Sequence, residues 1–347
     1  MAEADVNRVW TRGLFGAATA FLLALGIAFT AADARAQTKV RLAVGGKPAM
    51  FYLPLTVVER LGYFKDAGLD VEISDFPGGA RALQALVGGS ADVVAGAFDH
   101  TIQMQAKGQS IVGVVELGQF PGFVLGLLTS KAGNYRGPAD LKGMKIGITA
   151  PGSSTHFMVR YLMAQAGLTN DDASFIGIGA GPTAVAAVRR GEIDALVNVD
   201  PVISLLENDN SIRVVADTRT LEGTRAVFGG AYPAAVLYVA PAYIQNNSAT
   251  VQALANAIVR GLRWIATHSP HEIADLMPAE YALGDKDNYV RSIKNSMPMF
   301  SPDGRIGGEG PGVALKVLRQ FDPDVQRASI NLAATYTDGF VDKVPAR

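Results

Sequence analysis

The sequence predicts an α/β protein made of two similar lobes, each with a mostly parallel sheet. Three observations carry this. After residue 37, short β-rich runs alternate with amphipathic helical stretches, the pattern of βαβ units. A β-helix-β module recurs, in weaker form, about a hundred residues downstream. The chain has 347 residues, and a single hydrophobic core stops growing at about 250 to 300.

Composition narrows the function classes. With 49% apolar and 18% charged residues, the chain has enough apolar surface to offset the entropy of ordering, which excludes a disordered protein. The 31 basic and 32 acidic residues leave a formal charge of -1, so no polyanion-binding face is indicated and nucleic acid is not an expected partner. There is no cysteine. Disulfides, thiolate metal sites, cysteine nucleophiles and a lipid-bearing N-terminal cysteine are therefore excluded.

The first 36 residues read as an address. Arg8 and Arg12 precede an apolar run over 13–32, and Ala34-Arg35-Ala36 supplies a small-x-small cleavage signal, so the cut is expected before Gln37. The rival is an uncleaved membrane anchor, since a spanning helix needs about 20 apolar residues. The Ala-Arg-Ala end favours cleavage.

Residues 40–45 read as the first strand, 53–64 as a helix with Gly68 near its end, and 70–76 as the second strand. Gly78 and Gly79 open the next helix, where Ala80, Leu83, Leu86 and Val87 share one face. Gly88 and Gly89 end it before a strand over 92–96. The first copy of the module holds Ala67-Gly68-Leu69, Gly79 and Gly89-Ser90-Ala91-Asp92. The second holds Ala166-Gly167-Leu168, Gly181 and Gly191-Glu192-Ile193-Asp194, with the two glycines ten positions apart in both copies. Pro182 suits a first helical turn, where its missing N–H costs nothing. The strand-like runs 123–129 and 234–240 are read as a two-strand hinge. Lobe 1 is then 37–129 with 234–347, and 130–233 forms an inserted lobe 2. Ser248 is expected to cap a helix carrying Val251, Leu254, Ile258, Leu262 and Ile265, and Ser269-Pro270-His271-Glu272 fits a capping box.

Ligands of open α/β sheets bind at the carboxyl ends of strands, where loops and helix starts converge. Lobe 1 presents Ala49, Met50, Phe51 and Tyr52 there, then Gly78 and Gly79, then Phe98, Asp99 and His100. Lobe 2 presents Ser153, Ser154, Thr155 and His156 after Pro151-Gly152, then the loop 179–182, then Asp200 within 198–201. Gly152 with three hydroxyls at a helix start is the sharpest of these. Free N–H groups and the helix dipole attract acceptor groups there, although one serine is also needed as an ordinary N-cap. Phe51, Tyr52, Phe98 and Phe120 are candidate pocket walls, each with a competing place in the core. His156 is preferred over His100 as a donor to a carboxylate. Asp99 and Asp200 are carboxylates at the site, with helix capping as the competing role. No Gly-x-Ser-x-Gly elbow, phosphate loop, His-Glu-x-x-His zinc site or Gly-x-Gly-x-x-Gly turn occurs. Neither catalysis, metal nor cofactor is expected.

The run Leu61-Gly62-Tyr63-Phe64-Lys65-Asp66-Ala67-Gly68-Leu69 resembles a known family, as do Gly78-Gly79-Ala80-Arg81-Ala82-Leu83-Gln84-Ala85-Leu86 and Gly89-Ser90-Ala91-Asp92-Val93. Asp140-Leu141-Lys142-Gly143 and Pro151-Gly152-Ser153-Ser154-Thr155-His156-Phe157 extend the likeness over nearly the whole chain after Gln37. The family is the nitrate, sulfonate and taurine type of periplasmic solute-binding protein, related to binding proteins for the thiamine pyrimidine precursor. The resemblance implies a type II periplasmic-binding-protein fold, a monomer in the periplasm, and a small-molecule ligand delivered to an ABC permease in the inner membrane. It implies no catalysis. Carried onto this sequence, the interlobe loops are Met50 and Phe51, Gly78 and Gly79, Phe98 and Asp99, Ser153 to His156, and Asp200. Lys47 and Arg81 are the nearest basic groups, which disfavours a bare inorganic anion. A small organic acid, sulfonate or heterocycle fits the aromatic residues better. One branch of the family makes pyrimidines with a cysteine-bearing iron motif, which a chain without cysteine cannot carry.

Overall fold

The computed structural model describes residues 37–346; the export signal expected over 1–36 lies outside them. Ten strands form two five-stranded sheets. β1 Thr38–Gly45, β2 Leu69–Phe76, β3 Val93–Ala97, β4 Val112–Glu116 and β10 Ala235–Val239 form one, in the order β2-β1-β3-β10-β4. β5 Val124–Leu128, β6 Lys145–Ile148, β7 Ser174–Gly177, β8 Ala195–Asn198 and β9 Ile212–Asp217 form the other, in the order β7-β6-β8-β5-β9. The two orders are one plan used twice. A lobe's first strand lies between its second and third, and a strand from the opposite excursion of the chain lies between its third and fourth.

That exchanged strand bears on two sequence expectations. β10 runs antiparallel to β3 and β4, and β5 runs antiparallel to β8 and β9, while β1 and β6 pair in parallel with both of their neighbours. Each sheet is therefore mixed but still mostly parallel in direction, with four strands running one way and the exchanged strand running against them. Every residue of β5 and β10 is buried, and a strand covered on both faces reads as an unbroken apolar run whichever way it points. The two runs read as a hinge each lie within a sheet: 124–128 inside the second and 235–239 inside the first. The crossings between sheets are the segments 117–123 and 218–234.

Elsewhere the local chemistry is visible. Gly62 takes the left-handed conformation at φ 73° and splits the helix expected over 53–64 into Leu53–Arg60 and Tyr63–Asp66. Val251, Leu254, Ile258, Leu262 and Ile265 are buried on helix Ser248–Thr267, which packs against Leu53–Arg60. A Cβ at Gly261 would come within 2.4 Å of Val58, so glycine permits that approach. Asn247, not Ser248, holds the cap position of this helix. The Ser269 hydroxyl accepts from the Glu272 N–H at 3.3 Å, and Glu272 accepts from the Ser269 N–H at 2.8 Å, a closed capping box. Among the described residues, no helix is long and apolar enough to cross a membrane.

Candidate functional site

The site forms where the carboxyl ends of the two sheets face each other. On one side, the turn after β2 brings Gly79 across the end of β1 so closely that a Cβ on Gly45 would lie 2.2 Å from the Gly79 nitrogen. Only glycine fits at position 45, and the helix Gly79–Val87 is thereby aimed at the opposite sheet. On the other side, Gly152 turns the chain at φ 83° after β6, and helix Ser154–Gln165 starts there.

Four hydrogen bonds join the sides. The Ser153 hydroxyl accepts from the Ala80 N–H at 3.0 Å. The Ser154 hydroxyl donates to Asp99 Oδ1 at 2.6 Å. His100 Nε2 lies 3.3 Å from the Gly152 carbonyl, which makes that nitrogen the donor. The Met50 N–H donates to the Asp200 carbonyl at 2.7 Å. Within the first side, the Tyr232 hydroxyl donates to Asp99 Oδ2 at 3.0 Å, so both carboxylate oxygens of this buried residue have donors. With Nε2 donating, His100 Nδ1 is left to accept from the Tyr238 hydroxyl, 3.5 Å away. Burial pushes the His100 pKa down and holds the ring neutral, although Asp99 acts in the opposite direction. Burial, reinforced by Asp99, raises the Tyr52 phenol far above its usual value.

Between the two sides lies a cavity of about 30 Å³. Phe51, Tyr52, Gly79, Ser153, Ser154 and Thr155, all proposed from sequence, line it. The Thr149 and Thr155 hydroxyls stand 2.8 Å apart at its wall. Phe51 and Phe123 stack at 5.5 Å between ring centroids. Among the described residues, no lysine or arginine lines the cavity. Lys47 is held by Glu59 at 2.6 Å, and Arg81 is exposed and bonded to Gln84.

The remaining candidates lie outside the lining. Met50 is buried and contributes its backbone N–H. Gly78 abuts Ala150, whose Cβ would be 2.9 Å from a Cβ at 78. Phe98 is in the core, edge-on to Tyr336 at 6.0 Å, and Phe120 is buried in the crossing 117–123. His156 packs on Phe175 at 4.4 Å, and its Nδ1 accepts from the Gly152 N–H at 3.1 Å. Burial, with Arg160 nearby, lowers its pKa to about 4. Asp200 Oδ1 accepts from the Ser204 N–H and hydroxyl at 2.8 and 2.7 Å, fixing the start of the helix Val202–Asn208. Its other oxygen is 3.6 Å from Arg219. Sequence reasoning did not select Gly45, Ala97, Phe123 or Thr149, and passed over His100 in favour of His156. The strand ends holding Gly45, Ala97 and Thr149 could have pointed to three of these, because they immediately precede the loops that were surveyed.

A family model described as NMT1/THI5 like matches residues 51–273. The chain belongs to that family. A protein of solved structure from Bordetella bronchiseptica RB50 is similar along most of its length: 49% identity, 88% of this chain and 96% of that one covered, TM-score 0.86. The alkanesulfonate-binding protein SsuA from Xanthomonas axonopodis pv. citri, solved with MOPS bound, shares 19% identity at a TM-score of 0.67, over 88% of this chain and 99% of that one. This likeness establishes the periplasmic-binding-protein fold. A 4-amino-5-hydroxymethyl-2-methylpyrimidine phosphate synthase of Saccharomyces cerevisiae is 24% identical over 162 residues, 47% of this chain and 46% of that enzyme. The chain thus spans under half the length of that relative.

Proposed function

We propose that the protein is the extracytoplasmic solute-binding component of an ABC importer. It captures a small organic molecule between its lobes and hands it to a permease in the inner membrane. The observation that carries this reading is the cavity between two sheets of the same plan, closed by hydrogen bonds that run from one side to the other. The lobes bend about the crossings 117–123 and 218–234, and a ligand with contacts on both sides favours the closed form. The protein is exported, loses its first 36 residues and acts as a monomer in the periplasm.

The polar groups at the cavity bind rather than react. The Ser154 hydroxyl is spent on Asp99, and His100 is engaged at both ring nitrogens, so neither supplies the nucleophile and base pair that covalent catalysis needs. Among the described residues, no group of three or more His, Asp or Glu is placed to hold a metal. Phe51 and Phe123 suit a flat or apolar ligand body, while Thr149, Thr155 and the helix starts at Gly79 and Ser154 suit its acceptor groups. A small organic acid, sulfonate or heterocycle meets these demands; the sulfonate ligand of the Xanthomonas relative supports the class. A thermal-shift screen against sulfonates, carboxylates, aromatic acids, pyrimidines, nitrate and bicarbonate tests the reading. A ligand at 100 times its dissociation constant adds about 2.7 kcal/mol of stability. Turnover of the stabilising compound would favour an enzyme using the same cavity.

A further inference from the structure

A second, larger cavity of about 500 Å³ opens between residues 301–310 and helix Leu221–Phe228. Glu116, the last residue of β4, forms part of its wall and is only 4% exposed. A carboxylate removed from water needs a cation or several donors. Glu116 has no ion pair among the described residues, and its one hydrogen-bonding neighbour is the Ser301 hydroxyl. That hydroxyl in turn accepts from the Gly304 N–H at 3.1 Å. One hydroxyl serves one oxygen, and the Glu116 side chain otherwise lines the cavity.

The other charged residues of the wall are three acids and two arginines. Asp303, Glu309 and Asp338 line it with Glu116, against Arg225 and Arg305. Arg305 is already held by Asp303 and Asp342. Glu309 and Asp338 each accept one backbone N–H, from Ala231 at 3.2 Å and Ile306 at 2.9 Å, which fixes their place without cancelling their charge. Carboxyl groups outnumber the free guanidinium of Arg225, and they do not converge as metal ligands do.

We propose that this cavity is a second binding site, for a small organic cation whose ammonium group seats against Glu116. The site is separate from the interlobe cavity and shares no lining residue with it. Burial, with Asp303 and Asp338 nearby, pushes the Glu116 carboxyl well above the usual carboxylate range. An ammonium that seats there stabilises the ionised form, so binding releases a proton and strengthens as pH rises.

The test is titration calorimetry of the purified protein with propylammonium chloride, against sodium chloride at the same ionic strength. We expect one-to-one binding that is tightened several-fold between about pH 6 and about pH 8. Loss of the charged partner in Glu116→Gln should weaken it about tenfold or more. Asp338→Asn, at the rim, should weaken it less, and Ser154→Leu, in the other cavity, should leave it unchanged. The proposal is overturned if propylammonium gives no more heat than sodium chloride, if Glu116→Gln and Asp338→Asn both bind as the parent does, or if Ser154→Leu abolishes binding.

Discussion

The Ser154 hydroxyl donates to the Asp99 carboxylate at 2.6 Å, joining the first turn of the helix Ser154–Gln165 to the first turn of the helix Asp99–Ala106. Each helix follows a strand of a different sheet, so this contact exists only while the two sides are together. Its removal in Ser154→Ala leaves one oxygen of a buried carboxylate without its donor, a loss of about 1 to 3 kcal/mol. Ligand affinity should fall about tenfold to a hundredfold. Calorimetry on the parent and the variant checks this, and unchanged affinity would remove the contact from the closing mechanism.

Gly78 and Gly45 separate closure from folding. A methyl group on Gly78 would meet Ala150 at 2.9 Å and the Ser153 hydroxyl at 3.1 Å, both on the opposite side of the site. A methyl group on Gly45 would meet the Gly79 backbone at 2.2 Å on its own side. Gly78→Ala should therefore weaken ligand binding and keep the ligand-bound radius of gyration near its open value, with the melting temperature of the free protein little changed. Gly45→Ala should lower that melting temperature by several degrees, because backbone cannot yield as a side chain does. Scattering and calorimetry on the two variants distinguish the effects.

The features legible in the sequence are those whose cause is local. Glycines at 78, 79 and 152 and serines at 153 and 154 announce helix starts, and those starts line or flank the cavity. The capping box at Ser269 and Glu272 was legible for the same reason. The repeat of the β-helix-β module anticipated two lobes because it uses the same turn chemistry twice. What was not legible depends on distant approach. Asp200 takes the helix-capping role that the sequence offered beside ligand contact, but its pairing with Arg219, a residue beyond the next strand, was not legible. Phe123 sits in a crossing and reaches the cavity only because it stacks on Phe51. The direction of β5 and β10 left no mark on their apolar runs.

His156 makes stability depend on pH. Its folded pKa of about 4 lies below the ordinary 6.5, so the unfolded chain takes up the proton first as pH falls. Stability should decline as pH falls from about 6.5 to about 4, with His156 contributing up to about 3 kcal/mol. The difference between parent and His156→Gln in chemical denaturation, measured across that range, isolates this share. A constant difference would mean that the fold does not lower the pKa of the imidazole.

The Phe51–Phe123 stack predicts selectivity. Phe123→Ala removes one ring and should weaken binding of an aromatic ligand more than that of an aliphatic one with the same polar group, by about 0.5 to 1.5 kcal/mol of stacking. Competition between such a pair, measured by calorimetry, checks it. Equal losses would place the ligand body away from the rings.

The account rests on reversible capture of a small molecule between the lobes. The measurement that tests it most directly is a calorimetric titration with a screening hit, followed by release of the ligand and its chemical analysis. The account predicts one site per chain, a ligand recovered unchanged, and affinity lost when Ser154→Trp fills the cavity. A chemically altered ligand, or affinity unaffected by that substitution, would contradict it.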